Sequence, residues 1–149
     1  WSFGGFMALN CALKGDGIFK MAIAVAPVTS WRYYDTIYTE IYNGIPQQNP
    51  AGYDDNSPIN YADRLSDNTR LLIIHGTADD NVHFQNTLQL IDELMKKGKR
   101  FELMIYPDGM HGYRGYQWEF WDRENMIFWY KYLLNKPLPD ILNYSLEKE

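Results

Sequence analysis

A serine at position 2, an acid shortly after position 75 and a histidine at position 111 could together perform acyl transfer. A serine hydroxyl becomes a useful nucleophile when a histidine takes its proton and a carboxylate orients that histidine. Trp1-Ser2-Phe3-Gly4-Gly5 supplies all but the first glycine of the Gly-x-Ser-x-Gly turn, where a strand passes sharply into a helix. The two glycines remove side chains where such a turn is tight. A serine before a helix is also an ordinary N-cap, and that is the competing reading of Ser2. The acid belongs to His75-Gly76-Thr77-Ala78-Asp79-Asp80-Asn81-Val82, whose two aspartates have the alternative role of turn formers. His111 lies in its own loop, Pro107-Asp108-Gly109-Met110-His111-Gly112, and is the expected base. His75 shares a strand end with the acid and is expected to point into the sheet, while His83 opens the next helix.

The elements that must position these groups alternate between helix and strand. Small and apolar residues from Phe6 to Leu13 read as a helix stopped at Gly15-Asp16-Gly17. Met21 to Ala26, Arg70 to His75 and Phe101 to Tyr106 are short apolar runs of the kind buried in parallel sheets. Trp31 to Tyr42 is expected to be a short helix, Gln47 to Asn56 a loop, and Ser57-Pro58 the cap and first residue of a helix toward Leu65. Phe84, Leu88, Ile91 and Met95 recur at helical spacing and mark an inward face that ends at Gly98. A long aromatic helix spans Trp118 to Leu134, Pro137 and Pro139 break it, and the last ten residues form a tail. The order predicts an α/β domain whose parallel sheet is flanked by helices, with Ser, Asp and His each just past a strand or at its turn.

Composition narrows the partners. The 149 residues are 46% apolar and 22% charged, as in one compact domain with a sizeable core. A net charge of −5 argues against nucleic acid. The single cysteine, Cys11, excludes an internal disulfide and is expected to be a small buried residue of the first helix. No apolar run approaches the ~20 residues that span a bilayer. The histidines have no paired ligand spacing, so neither a metal nor an organic cofactor is expected. The chain opens on Trp1 within a motif, so residues 1–149 are read as the C-terminal portion of a single domain of a longer protein.

Trp1-Ser-Phe-Gly-Gly, Ala24-Val-Ala-Pro-Val28, Trp31-Arg-Tyr-Tyr-Asp35, Ile37-Tyr-Thr-Glu40 and His75-Gly-Thr-Ala-Asp-Asp-Asn-Val-His83 together resemble the dipeptidyl peptidase IV branch of the prolyl oligopeptidase family. The resemblance runs nearly to His111 and is weak in the C-terminal tail. It implies the C-terminal part of an α/β-hydrolase domain, normally preceded by a β-propeller, that removes N-terminal dipeptides with Pro or Ala in the second position. By position it makes Ser2 the nucleophile, Asp79 the orienting acid and His111 the general base, with the backbone N–H of Phe3 as one oxyanion donor. It assigns Val28, Trp31, Tyr34, Tyr38 and Val82 to an apolar pocket for the proline ring, and Asn81 to the substrate's terminal amine and carbonyl. Tyr34 and Tyr38, four apart, are expected on one helical face. The family's second oxyanion tyrosine and its amine-binding acidic pair are not in this sequence, so the chain alone is expected to be inactive. The resemblance further implies a homodimer through the aromatic helix and a periplasmic, secreted or cell-surface location. An esterase or lipase on the same scaffold, and a non-catalytic structural or dimerisation fragment, are the alternatives.

Overall fold

The structure, a computed structural model, describes residues 1–142. It divides into two compact units, Trp1–His111 and Gly112–Glu149. The first is built on three parallel strands, β1 (Met21–Val25), β2 (Arg70–Gly76) and β3 (Glu102–Tyr106), in the order β1-β2-β3. Val25 pairs with Ile74 and Gly76 with Tyr106, so the C-terminal ends emerge along one edge. Parallel neighbours need long crossovers. After α1 (Phe3–Lys14) and β1, the chain runs through α2 (Thr36–Asn43), α3 (Pro50–Asp54) and a 3-10 segment at Pro58–Arg64 before β2. The crossover from β2 to β3 is α4 (Gln85–Lys96).

One buried cluster holds these elements on the sheet. Leu9 and Leu13 of α1 meet Ala24, Leu71 and Ile73 of the strands, Ala62 and Leu65 of the 3-10 region, and Leu90 and Leu94 of α4. Successive strand side chains alternate between faces, so Leu71 and Ile73 share one face and His75 follows in that series. His75 is wholly buried there, as the sequence led us to expect.

Several local expectations are corrected. The inward residues of α4 are Asn86, Thr87, Leu90 and Leu94, whereas Leu88 and Met95 are exposed. The buried stripe contains two polar residues with hydrogen-bond duties, which hid it from a purely apolar reading. Cys11 is exposed, because Phe6, Leu9 and Leu13 define the buried stripe of α1 and residue 11 lies well around the helix from them. The expected loop at 47–56 contains α3, started by Pro50 at its first position and by the Asn49 side chain accepting from the N–H of Gly52. Ser57 makes no cap bond; its hydroxyl donates to the carbonyl of Tyr53 and accepts from the N–H of Trp31. The aromatic segment is split into a 3-10 turn at Trp31–Tyr33 and α2, separated by extended backbone at Tyr34 and Asp35.

In the second unit α5 (Tyr116–Trp129) runs on through a wider π turn at Tyr130–Leu134 and ends at Asn135 in the left-handed conformation. Phe128 is buried, its ring 4.8 Å from that of Tyr132. A single 3-10 turn, Asp140–Leu142, follows the prolines. The rest of the expected tail lies outside the described residues.

Candidate active site

Ser2 occupies the turn into α1 with φ 55° and ψ −121°, a backbone state that favours glycine and costs on the order of 1–3 kcal/mol elsewhere. Its side chain forms no capping bond with α1, so the N-cap reading does not hold. The turn is pinned from both sides: the N–H of Ser2 donates to the Val25 carbonyl at 2.9 Å, and its carbonyl accepts from the N–H of Phe6 at 3.0 Å. Gly5 lets α1 press against the end of β1, since a Cβ there would lie 2.8 Å from the Val25 oxygen. Phe3 is the first residue of α1, so its N–H has no carbonyl partner within the helix and can serve a developing oxyanion.

Asp79 and His111 meet. The Oδ2 atom of Asp79 accepts from His111 Nδ1 at 2.8 Å, while its Oδ1 accepts from the backbone N–H groups of Asn81 and Val82 at 3.0 and 2.9 Å. The His75 Nε2 stands 3.2 Å from Oδ2, giving the buried carboxylate four donors. With Nδ1–H committed to Asp79, a neutral His111 keeps its Nε2 lone pair for a proton. Burial pushes the Asp79 carboxyl up, and the hydrogen bonds from His75, His111 and Asn81 outweigh it, so Asp79 lies below the usual carboxylate value. The Trp1 indole donates to the His111 carbonyl at 3.0 Å, which draws the Ser2 turn to the His111 loop. Asp80, the other aspartate of the motif, is exposed.

Two glycines let the Asp79 and His111 loops touch. A Cβ on Gly76 would fall 2.1 Å from the Gly109 carbonyl oxygen. The same approach lets Ala78 N–H reach that oxygen at 3.0 Å, Thr77 N–H reach the Tyr106 carbonyl at 3.0 Å, and Thr77 Oγ accept from Asp108 N–H at 2.9 Å. The sequence showed both glycines and Trp1 within motifs but gave none of them this role; a glycine directly after a strand and another inside a three-residue approach to His111 were the available signal. Gly76→Ala in the full-length protein is expected to lower stability by about 1–3 kcal/mol, because backbone must move to admit the methyl group. A urea melt measures this, and a midpoint equal to that of the parent would show that the loops have room.

The expected pocket residues also come together. Phe6, Val28, Trp31, Tyr53 and Val82 form one buried cluster with Tyr34 packed against it. Val28 and Val82 are almost wholly buried, so they support the aromatic rings from beneath. Tyr38 stacks on Trp31 at 6.2 Å and meets Tyr34 edge-on at 5.4 Å. The two tyrosines do not share a helix: Tyr34 is in extended backbone and Tyr38 in α2, and their rings converge through Trp31. Tyr34 donates to Asn81 Oδ1 at 2.8 Å, beside an open cavity of about 400 Å³ lined by Tyr34, Asp35, Asp80, Asn81 and His83. The bracing residues Phe6 and Tyr53 were missed by sequence, as was the two-pronged Arg32–Asp54 contact at 2.6 and 2.8 Å that ties the Trp31 turn to α3. Among the described residues no three His, Cys, Asp or Glu side chains are grouped to hold a metal ion.

A strained serine turn leading into a helix, a carboxylate–histidine pair at the ends of successive parallel strands, and flanking helices fit an α/β-hydrolase domain. A family model of the prolyl oligopeptidase family matches residues 1–136. The probable dipeptidyl-aminopeptidase B of Trichophyton verrucosum is 53% identical over 114 residues, which is 75% of this chain and 13% of that protein. Its counterpart from Paracoccidioides brasiliensis is 52% identical over 113 residues, 74% of this chain and 12% of that one. The crystal structure of Porphyromonas gingivalis dipeptidyl peptidase 4 superposes with a TM-score of 0.83 at 39% identity, covering 89% of this chain and 19% of that one. The chain belongs to the dipeptidyl peptidase IV branch of the prolyl oligopeptidase family.

Proposed function

We propose that the full-length protein is a serine exopeptidase releasing N-terminal dipeptides with Pro or Ala in the second position. The observation that carries the reading is the 2.8 Å bond between His111 Nδ1 and Asp79 Oδ2, which leaves Nε2 as the base. Ser2 Oγ attacks the carbonyl after the second residue while His111 Nε2 takes the hydroxyl proton, and Asp79 stabilises the imidazolium. The oxyanion accepts from the Phe3 N–H. His111 then gives its proton to the leaving amine, the acyl-enzyme forms, and water deprotonated by His111 releases the dipeptide.

The aromatic slot supports the choice of substrate. A proline ring lacks an N–H and has fixed φ, so a flat aromatic slot can select it by shape and apolar contact. Asn81 Oδ1 is engaged by Tyr34, which turns its amide N–H groups toward an acceptor such as the substrate carbonyl. Tyr34→Phe is therefore expected to raise KM for Xaa-Pro amides about 3- to 10-fold, the worth of one hydrogen bond, with a smaller change in kcat. Steady-state kinetics check this, and an unchanged KM would remove the Tyr34–Asn81 pair from substrate binding.

In this reading residues 1–149 are the C-terminal portion of one catalytic domain, with further strands and a β-propeller elsewhere in the protein. The small share of the relatives' length that the chain spans supports it. The 149 residues alone are then inactive, and the working enzyme is a homodimer. A fluorophosphonate probe with mass spectrometric mapping tests the reading. Labelling at Ser2 of the full-length protein and none of the isolated chain is the expected result. A folded full-length protein that stays unlabelled would end the serine-hydrolase reading, and ester hydrolysis without cleavage of Xaa-Pro amides would leave an esterase.

A further inference from the structure

We infer that His75 is a positioning residue of this reaction, its buried Nε2–H holding Asp79 Oδ2 and the Val82 carbonyl so that the carboxylate faces His111 in one orientation. The inference rests on the serine-peptidase reading and deepens it. His75 Nε2 lies 2.8 Å from the Val82 carbonyl oxygen and 3.2 Å from Asp79 Oδ2. Both oxygens only accept, so the proton sits on Nε2. His75 Nδ1 is 2.7 Å from Thr87 Oγ, whose hydroxyl then donates to it. The ring is wholly buried, with Phe84 edge-on at 5.5 Å. Each ring nitrogen of His75 thus has a single role, Nε2 donating to two oxygens and Nδ1 accepting from Thr87, which fixes the tautomer.

The backbone of Val82 is gripped on both sides. Val82 N–H donates to Asp79 Oδ1, and the Val82 carbonyl accepts from His75. His75 therefore holds the turn 79–82 and the second carboxylate oxygen together. Without it, Oδ2 keeps His111 as its donor, the carboxylate gains freedom to rotate, and a buried carbonyl loses its partner. Misplacing a catalytic pair by about 1 Å costs on the order of 10²-fold in rate. Val82 of the aromatic slot and Asn81 lie on this same turn, but the rest of the slot, Phe6, Val28, Trp31 and Tyr53, does not, so the larger loss falls on kcat.

The test uses three variants of the full-length protein with an Xaa-Pro amide, each melted thermally to verify folding. Gln carries an amide N–H near the position of Nε2, Leu carries none, and Thr87→Val removes the hydroxyl that fixes the tautomer while leaving His75 in place. His75→Leu is expected to lower kcat roughly 10- to 100-fold with KM within about 3-fold, and His75→Gln to recover most of that loss. Thr87→Val is expected to lower kcat about 3- to 10-fold at constant KM. Equal losses in folded Leu and Gln variants, or an undiminished kcat in Leu, would overturn the inference. If Leu unfolds below the assay temperature, Thr87→Val decides it, and wild-type kcat there refutes it. Ser2→Ala in the same protein reads the underlying activity separately: turnover surviving that change would remove the serine-peptidase reading itself, whatever the His75 variants do.

Discussion

Asp79→Asn in the full-length protein is expected to lower kcat about 10⁴-fold toward an Xaa-Pro amide while the fold persists. The two backbone N–H groups of Asn81 and Val82 will hold the asparagine oxygen where Oδ1 now sits. Its amide nitrogen then occupies the place of Oδ2 and presents N–H to both His75 Nε2 and His111 Nδ1. His111 can meet that donor only by moving its proton to Nε2, which leaves no base toward Ser2. His75 cannot adapt in the same way, because the Val82 carbonyl already requires its proton on Nε2. The variant therefore carries one donor–donor conflict and one wrong tautomer. Acid melts give a second readout. Asp79 is held below the usual carboxylate range, so its charged form contributes stability above the unfolded value, and that contribution is lost as pH falls through the folded value. The stability gap between parent and Asp79→Asn is thus expected to narrow as pH drops below about 4. A gap that widens with acid, or a variant with parental kcat, would mean that Asp79 does not orient the base.

Much of this site was legible because its chemistry sits at strand ends, and strand ends are marked in sequence. The runs Met21 to Ala26, Arg70 to His75 and Phe101 to Tyr106 are apolar because parallel strands are buried on both faces, and each stops at Pro or Gly. The second and third runs place the aspartate pair and His111 just past their ends, and the Ser2-Phe3-Gly4-Gly5 turn marks the serine. The choice of Asp79 over Asp80 had no such marker, since two adjacent aspartates differ only in which way the turn aims them. What decides it is a contact network: two N–H groups ahead in the chain and two imidazoles from different places in the first unit. Contacts of this kind leave no periodic trace. The inner face of α4 was misread for a related reason, because Thr87 and Asn86 are inside to serve His75 and Thr29. Polar residues recruited to a buried network imitate a solvent face. The tyrosine pair shows the converse, where four-residue spacing suggested a helix and the rings met by another route. Asp35 caps α2 by accepting from the N–H of Tyr38, so Tyr34 stays outside the helix.

Ser2→Ala should reduce kcat on the order of 10⁶-fold, the scale on which losing the nucleophile removes the whole proton-transfer unit. Its effect on stability separates the two readings of this serine. An N-cap serine changed to alanine costs about 0.5–2 kcal/mol. Ser2 makes no cap bond, and its strained backbone is shared by alanine, so the urea midpoint is expected to stay within the range of about ±0.5 kcal/mol typical of neutral changes. Ser2→Gly removes the same hydroxyl and also relieves the backbone. The relief of about 1–3 kcal/mol exceeds the roughly 0.4–1 kcal/mol that glycine adds to the entropy of the unfolded chain. Glycine should therefore be both inactive and more stable than the parent by about 1 kcal/mol, while alanine is inactive at unchanged stability. Activity and stability moving in opposite directions at one residue is the mark of strain kept for chemistry. Parallel kinetics and urea melts on the two full-length variants check it. A destabilised alanine variant would return Ser2 to the role of a helix cap, and a glycine variant no more stable than the parent would mean that the turn at Ser2 stores nothing.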